Sequence, residues 1–270
     1  MEKLTMLDYV KETPGVLRTN IEQYTTLVEP LMKEVQQKEI KRILLVASGS
    51  SHNACYCARS FVEKVSGLEV KIITPYTFTY YENDVQENDL VLVVTQSGLS
   101  TNAIEALKII KKKQCRAICL TGNKNSDVKD IADVVIEYGV GEELVGYVTK
   151  GVSSLALFLD LFAIAYSGKT EYLEELKKAV DLNEEMIDKA TSFIQKHYKN
   201  FSSMSWVYSC GAGANYGTAL ESALKMGETI HIPSCCYEIE EYIHGPNLQL
   251  TPQYNVIFFD GNDGASHRVE

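Results

Sequence analysis

Four small residues, Ser48, Gly49, Ser50 and Ser51, stand where the apolar run RILLV ends and a helical rhythm resumes in HNACYCARSF. A helix start presents backbone N–H groups without partners inside the helix, and its dipole favours negative charge there. Serine hydroxyls add rotatable donors and glycine permits close backbone approach, so a phosphate monoester fits this turn better than a lone carboxylate. A second hydroxyl-rich turn, TQSGLST from Thr95 to Thr101, follows the apolar run LVLVVT. Its candidate donors are Thr95, Gln96, Ser97 and Ser100. Two such turns on one sheet edge make a phosphate cradle. N-capping of the next helix by Ser97 or Ser100 is the plainer reading and is compatible with it.

A second group of candidates lies in ALKMGETIHIPSCCYEIEEYIHGP. Glu228 sits among Met226, Gly227 and Ile230 in a helical pattern that suits partial burial. A glutamate has an ordinary pKa of about 4.3, and burial is the obvious means of raising it to work as a base near neutrality. A solvated carboxylate, or a partner for Lys225, is the alternative. Lys225 could steady developing negative charge or form a surface ion pair, and Lys150 carries the same ambiguity. His244, before Gly245 and Pro246, is either a structural histidine at a helix end or an imidazole titrating near neutrality. His52 borders the first turn, His197 and His231 read as structural, and His267 lies near the carboxyl end. No carboxylate or histidine cluster calls for a metal, and no cofactor is implied.

The elements that must position these residues are those of an ordinary globular protein: 270 residues, 45% hydrophobic and 23% charged. The net charge of -10 argues against coating a nucleic acid, because no excess of Lys and Arg is available for a phosphate backbone. No apolar run reads as long enough to span a bilayer, and MEKLTMLDYVKETPG lacks the apolar core of a signal peptide, so a cytoplasmic protein without a membrane partner is expected. Seven cysteines show neither C-x-x-C nor zinc spacing and read as reduced, mostly buried residues. Packing is also the reading for the adjacent pair Cys235 and Cys236.

Residues 1–38 predict two helical patterns separated at Pro14 and Gly15, the second running to about Gln37 with a kink or break at Pro30. Apolar strands beginning at Arg42, Glu69, Leu90, Arg116 and Ala132 alternate with amphipathic helices such as STNAIEALKIIKKK. This pattern predicts an α/β fold with a parallel sheet covered on both faces, its ligands beyond the carboxyl ends of the strands. A first unit over 39–168 and a connecting helix over 169–199 lead to a second unit over 200–270. There WVYSCGAGANYGTALESALKMGE again gives strand, turn and helix. At an offset of 162, Gly211 and Asn215 fall on Gly49 and Asn53, and at 165 YNVIFFDGNDG falls on LVLVVTQSG, so the unit reads as duplicated. The second copy reads as incomplete, which suggests a truncation or an edge covered by a partner chain.

The segments ASGSSHNA, TQSGLST and ALESALKMGETIHIPSCCYEIEEYIHGP resemble the sugar isomerase (SIS) family, in the tandem form found in the isomerase half of glucosamine-6-phosphate synthase and in fructosamine-phosphate deglycases. The resemblance implies two flavodoxin-like αβα units. It places the first phosphate loop on Ser48, Gly49, Ser50 and Ser51, and the second on Thr95, Gln96, Ser97 and Ser100. It also implies that Glu228 moves a proton between C1 and C2, that Lys225 contacts an open-chain sugar, and that His244 opens the ring, reaching the site across a dimer interface. A homodimer or higher homo-oligomer is therefore expected.

Three departures narrow the expected activity. Val148 stands where the synthase has a serine that contacts substrate. Glu2 stands where its glutaminase would need a cysteine, and the tail with its imine-forming lysine lies beyond this chain. What remains is isomerisation, deamination or cleavage of a sugar amine, without glutaminase activity. The ending FFDGNDGASHR is similar to the GND region of the deglycases and tilts the reading towards them. The alternatives are a non-catalytic phosphosugar sensor and a fragment of an amidotransferase-type isomerase that binds without turnover. The two amino-terminal helices are too few and too mixed in charge for a sensor's usual DNA-binding segment.

Overall fold

A computed structural model describes residues 4–269 and divides into two compact units, the first ending at Leu182 and the second beginning at Asn183. Glu2 lies outside the described residues.

In the first unit Thr5 opens α1 (Met6–Glu22) with a capping box, its side chain accepting from the Asp8 N–H while the Asp8 carboxylate accepts from the Thr5 N–H. The expected separation at Pro14 and Gly15 does not occur. The helix runs through both, because Tyr9, Thr13, Leu17 and Ile21 form one buried face at a spacing of four. Pro14 is itself buried on that helix, and its interior position costs about 3 kcal/mol that the shared burial offsets. The break falls instead at Gln23, and α2 (Tyr24–Val35) carries Pro30 inside it.

The sheet contains β1 (Arg42–Val46), β2 (Glu69–Ile73), β3 (Asp89–Thr95), β4 (Ile118–Thr121) and β5 (Val134–Glu137). All pairings are parallel and the order is β2-β1-β3-β4-β5. Helices α3 (Gly49–Ser66), α4 (Pro75–Tyr80), α5 (Thr101–Lys112) and α6 (Lys150–Ser167) follow β1, β2, β3 and β5. Side chains alternate across the sheet: Ile43 and Leu45 face one core with α3 and α6, while Leu44 and Val46 face another with α5. By length and composition α6 is apolar enough to cross a membrane, contrary to the expectation from sequence. Most of it is buried inside the unit, with Leu155, Phe158, Phe162 and Ile164 in the core, which accounts for its apolarity.

At the amino end of the sheet Arg42 grips Asp89 through two bonds of 2.9 and 2.7 Å, and the same carboxylate accepts from the Gln86 N–H at 2.7 Å. Burial alone would push the Asp89 carboxyl up, but the guanidinium and the N–H outweigh it and hold it below the ordinary carboxylate range. Arg42→Ala leaves this carboxylate buried without its partner and is expected to cost about 2–3 kcal/mol. That lies below a fully enclosed pair because Arg42 stays partly exposed. A depressed carboxylate stabilises the fold above its unfolded pKa and loses that contribution as pH falls through the native pKa. Urea unfolding of both proteins at pH 7 and pH 3 should therefore show the difference shrinking in acid.

The helix α7 (Tyr172–Lys196) contains the boundary between units, and α8 (Tyr198–Ser202) follows it. The second unit has β6 (Trp206–Gly211), α9 (Ala214–Lys225), a π-helical turn (Met226–Ile230), β7 (Ser234–Glu238), α10 (Ile239–Ile243) and β8 (Tyr254–Phe259). Its parallel order β7-β6-β8 repeats β2-β1-β3, each strand opening 164 or 165 positions after its counterpart. Among the described residues no strands stand where β4 and β5 do in the first sheet. Its core is small and largely aromatic, built around Tyr208, Cys210, Ile239 and Tyr242. All seven cysteines are free thiols. Burial pushes Cys236 up to about 12, so it stays a protonated, unreactive thiol near neutrality.

Candidate functional site

The two hydroxyl-rich turns leave the same end of adjacent strands, since β1 and β3 are parallel with Val46 opposite Val93. Ser48 precedes α3 in extended conformation and Ser100 does the same for α5; neither side chain caps its helix. The capping reading of Ser100 and Ser97 is thus not realised. Ser100 Oγ accepts from Thr95 Oγ1 at 3.2 Å, and Ser97 Oγ accepts from the Leu99 N–H at 3.2 Å. Elsewhere in the unit α1 and α4 are capped by Thr5 and Thr74. Ser48, Gly49 and Ser97 face solvent, whereas Ser50, Ser51 and Thr95 are buried. Burial holds the His52 imidazole below its usual range, only partly offset by Asn53, so this ring is neutral at pH 7.

A bonded frame that the sequence did not suggest fixes the second turn from behind. The Gln96 backbone carbonyl accepts from the Gly122 N–H at 3.0 Å and from Thr121 Oγ1 at 3.2 Å. Its side-chain amide donates to Glu143 at 2.8 Å and accepts from the buried Tyr138 hydroxyl at 3.1 Å. Gly98 adopts a φ of +66° and a Cβ there would lie 1.7 Å from Ser126 Oγ, so only glycine fits the turn. Gly151 is needed for space: a Cβ would lie 1.7 Å from the Gln96 side-chain oxygen.

Lys150 is resolved as a structural residue. It is 1% exposed, with Nζ 2.8 Å from the Glu142 carbonyl, 3.1 Å from Glu12 and 5.1 Å from the Tyr9 ring centre.

In the second unit the crossover helix α9 leaves β6 at its carboxyl end and returns the chain to the amino end of β7. Ser234 Oγ, at the start of β7, donates to the Ala223 carbonyl at 2.5 Å. Lys225 and Glu228 therefore lie by the amino ends of the strands. Lys225 Nζ is 2.7 Å from Glu228 and 3.0 Å from Glu221, so Glu228 is the lysine's partner, as the plainer reading had it, and its side chain is about one-third exposed. The π-helical turn over Met226–Ile230 displaces Glu228 from regular α-helical register, a distortion frequent at functional positions. His244 is the exposed C-cap residue of α10, beyond the carboxyl end of β7. Glu228 precedes β7 and His244 follows it, so the two flank opposite ends of a five-residue strand about 13 Å long. The GND segment after β8 folds on itself, with Asp260 accepting from the Asn262 N–H and the Ser266 hydroxyl.

A five-stranded parallel sheet wound on both faces, with two hydroxyl-rich turns at the carboxyl ends of its strands, defines the first unit as a doubly wound α/β domain. Residues 38–165 match the family model of the SIS domain. This stretch is a SIS domain, and the chain belongs among the SIS-domain proteins.

A glutamine–fructose-6-phosphate aminotransferase (isomerizing) of Caldanaerobacter subterraneus subsp. tengcongensis is 30% identical over 217 residues, 77% of this chain and 36% of that protein. The protein of the same name from Clostridium perfringens is 27% identical over 266 residues, 93% of this chain and 44% of its own length. The chain thus spans less than half the length of these curated relatives. Among solved structures, a Clostridium difficile 630 protein proposed to be a phosphosugar isomerase superposes with a TM-score of 0.87 at 27% identity, covering 99% of this chain and 78% of that one. The C-terminal domain of glucosamine-fructose-6-phosphate aminotransferase from Francisella tularensis shares the fold, with a TM-score of 0.81 at 22% identity, covering 99% and 79%.

Proposed function

We propose that this protein binds a phosphorylated open-chain sugar or its amino conjugate and moves a proton between C1 and C2, as an isomerase or a fructosamine-phosphate deglycase. The observation that carries the reading is the pair of hydroxyl-rich turns on neighbouring strands, each leading into a helix that its N-cap serine, Ser48 or Ser100, does not cap with its own side chain. Ser48, Gly49, Ser50, Ser51, Thr95, Gln96, Ser97 and Ser100 hold the phosphate. His244 opens the ring, Lys225 steadies the developing enediolate, and Glu228 carries the proton; these three roles rest on the resemblance to the SIS enzymes. In the deglycase form the resulting imine is hydrolysed to an amine and a sugar phosphate, which the GND ending favours.

The opposite placement of Glu228 and His244 in the second unit supports a homodimer in which one copy's histidine serves the other copy's glutamate. The domain organisation that accompanies this reading is a helical segment over 1–38, SIS units over 39–168 and 200–270, and a connecting helix over 169–199. A cytoplasmic location fits a phosphorylated sugar substrate.

Calorimetric titration with fructose 6-phosphate, set against unphosphorylated fructose, tests the phosphate cradle. Because Ser48 and Ser97 are exposed, the double variant Ser48→Ala/Ser97→Ala should fold normally. Hydrogen bonds to a charged group contribute about 1.5–3 kcal/mol each, so at least a tenfold loss of affinity is expected. Unchanged affinity, or equal binding of fructose, would remove the assignment.

A further inference from the structure

We infer that Glu143 is a positioning residue that locks the second turn to the start of α6 and so sets the donor geometry for the phosphate; the inference rests on the phosphosugar reading above. Its carboxylate makes three bonds to two separate pieces of chain. One oxygen accepts from the Gln96 side-chain amide at 2.8 Å and from the Thr149 N–H at 2.9 Å. The other accepts from the Lys150 N–H at 2.6 Å. A single group thereby caps α6 and grips the turn that follows β3. The grip is one-directional, because the Gln96 amide oxygen is already held by Tyr138 and packed against Gly151.

The chemistry of the clamp demands a carboxylate. All three partners are donors, and an ionised carboxylate only accepts. A glutamine in its place would set an NH2 against at least one backbone N–H, while an alanine would leave the Gln96 amide and the first N–H groups of α6 without it. A negative charge close to an anion site opposes anion binding, so a glutamate there is favoured only for what it fixes in place. Lys150 adds no compensating charge to the turn, since its ammonium is already engaged by Glu12, the Glu142 carbonyl and the Tyr9 ring.

Two measurements on Glu143→Gln, Gln96→Ala and the double variant test the clamp, with thermal unfolding as the check of folding. In hydrogen exchange without ligand, Glu143→Gln should speed exchange together at residues 97–100 and 149–152. In titrations with fructose 6-phosphate each single variant should lose tenfold or more in affinity. The double variant should lose no more than the worse single, because Glu143 acts through Gln96. Exchange that quickens only at 149–152, or losses that multiply in the double variant, would overturn the proposal by making Glu143 a cap for α6 alone. If the wild-type protein binds no fructose 6-phosphate, the positioning of a phosphate site falls with the phosphosugar reading. Coupled exchange would then still distinguish that failure from failure of the Glu143–Gln96 link.

Discussion

Glu228→Gln is expected to lower turnover by about three orders of magnitude while leaving fructose 6-phosphate affinity within a few-fold of wild type. A positioned general base contributes roughly 10²–10⁴ to rate, and the amide cannot accept a proton at C1 or C2. The substitution is structurally mild. Lys225 keeps Glu221 at 3.0 Å when the 2.7 Å contact to Glu228 loses its charge, so no ammonium is stranded. Steady-state rates and titrations on the same sample separate the two effects. Loss of binding together with rate would recast Glu228 as part of the fold, and full activity would remove its catalytic role.

The second large effect concerns His244. Glu228 precedes β7 and His244 follows it, so the two flank opposite ends of that five-residue strand. If each site takes its glutamate from one copy and its histidine from the other, Glu228→Gln and His244→Asn should each be inactive alone. Co-expressed, they should recover about a quarter of wild-type activity, because half of randomly paired dimers are mixed and each mixed dimer carries one intact site. No recovery from a demonstrated mixed dimer would place both residues in one chain's site.

Much of the fold was legible in the sequence because buried parallel strands read as continuous apolar runs, and RILLV, EVKII, DLVLVVT and ICLT each became a strand. What escaped was decided by tertiary packing. β7 has the sequence SCCYE, which carries no such run, and only its place 165 positions after β2 marks it. Pro14 looked like a helix boundary, yet the buried stripe through Tyr9, Leu17 and Ile21 continues the helix to Glu22. In the site, the serine turns were visible as composition, whereas the clamp on Gln96 comes from Glu143, 47 residues away, and no local pattern pairs them. Lys150 read as ambiguous because two of its anchors, Glu12 and the Tyr9 ring, lie on α1, far away in sequence.

Proton NMR in deuterated water reads out whether a bound phosphosugar exchanges a proton at C1 or C2. Purified protein is incubated with fructose 6-phosphate and, in parallel, with a 6-phosphofructosyl amino acid. Deuterium is expected to enter at C1 of one of them, with release of free amine if the activity is that of a deglycase, and neither signal is expected from Glu228→Gln. A folded protein that binds the phosphosugar yet leaves its C1 protons unexchanged would remove the proton transfer and make this chain a binding protein.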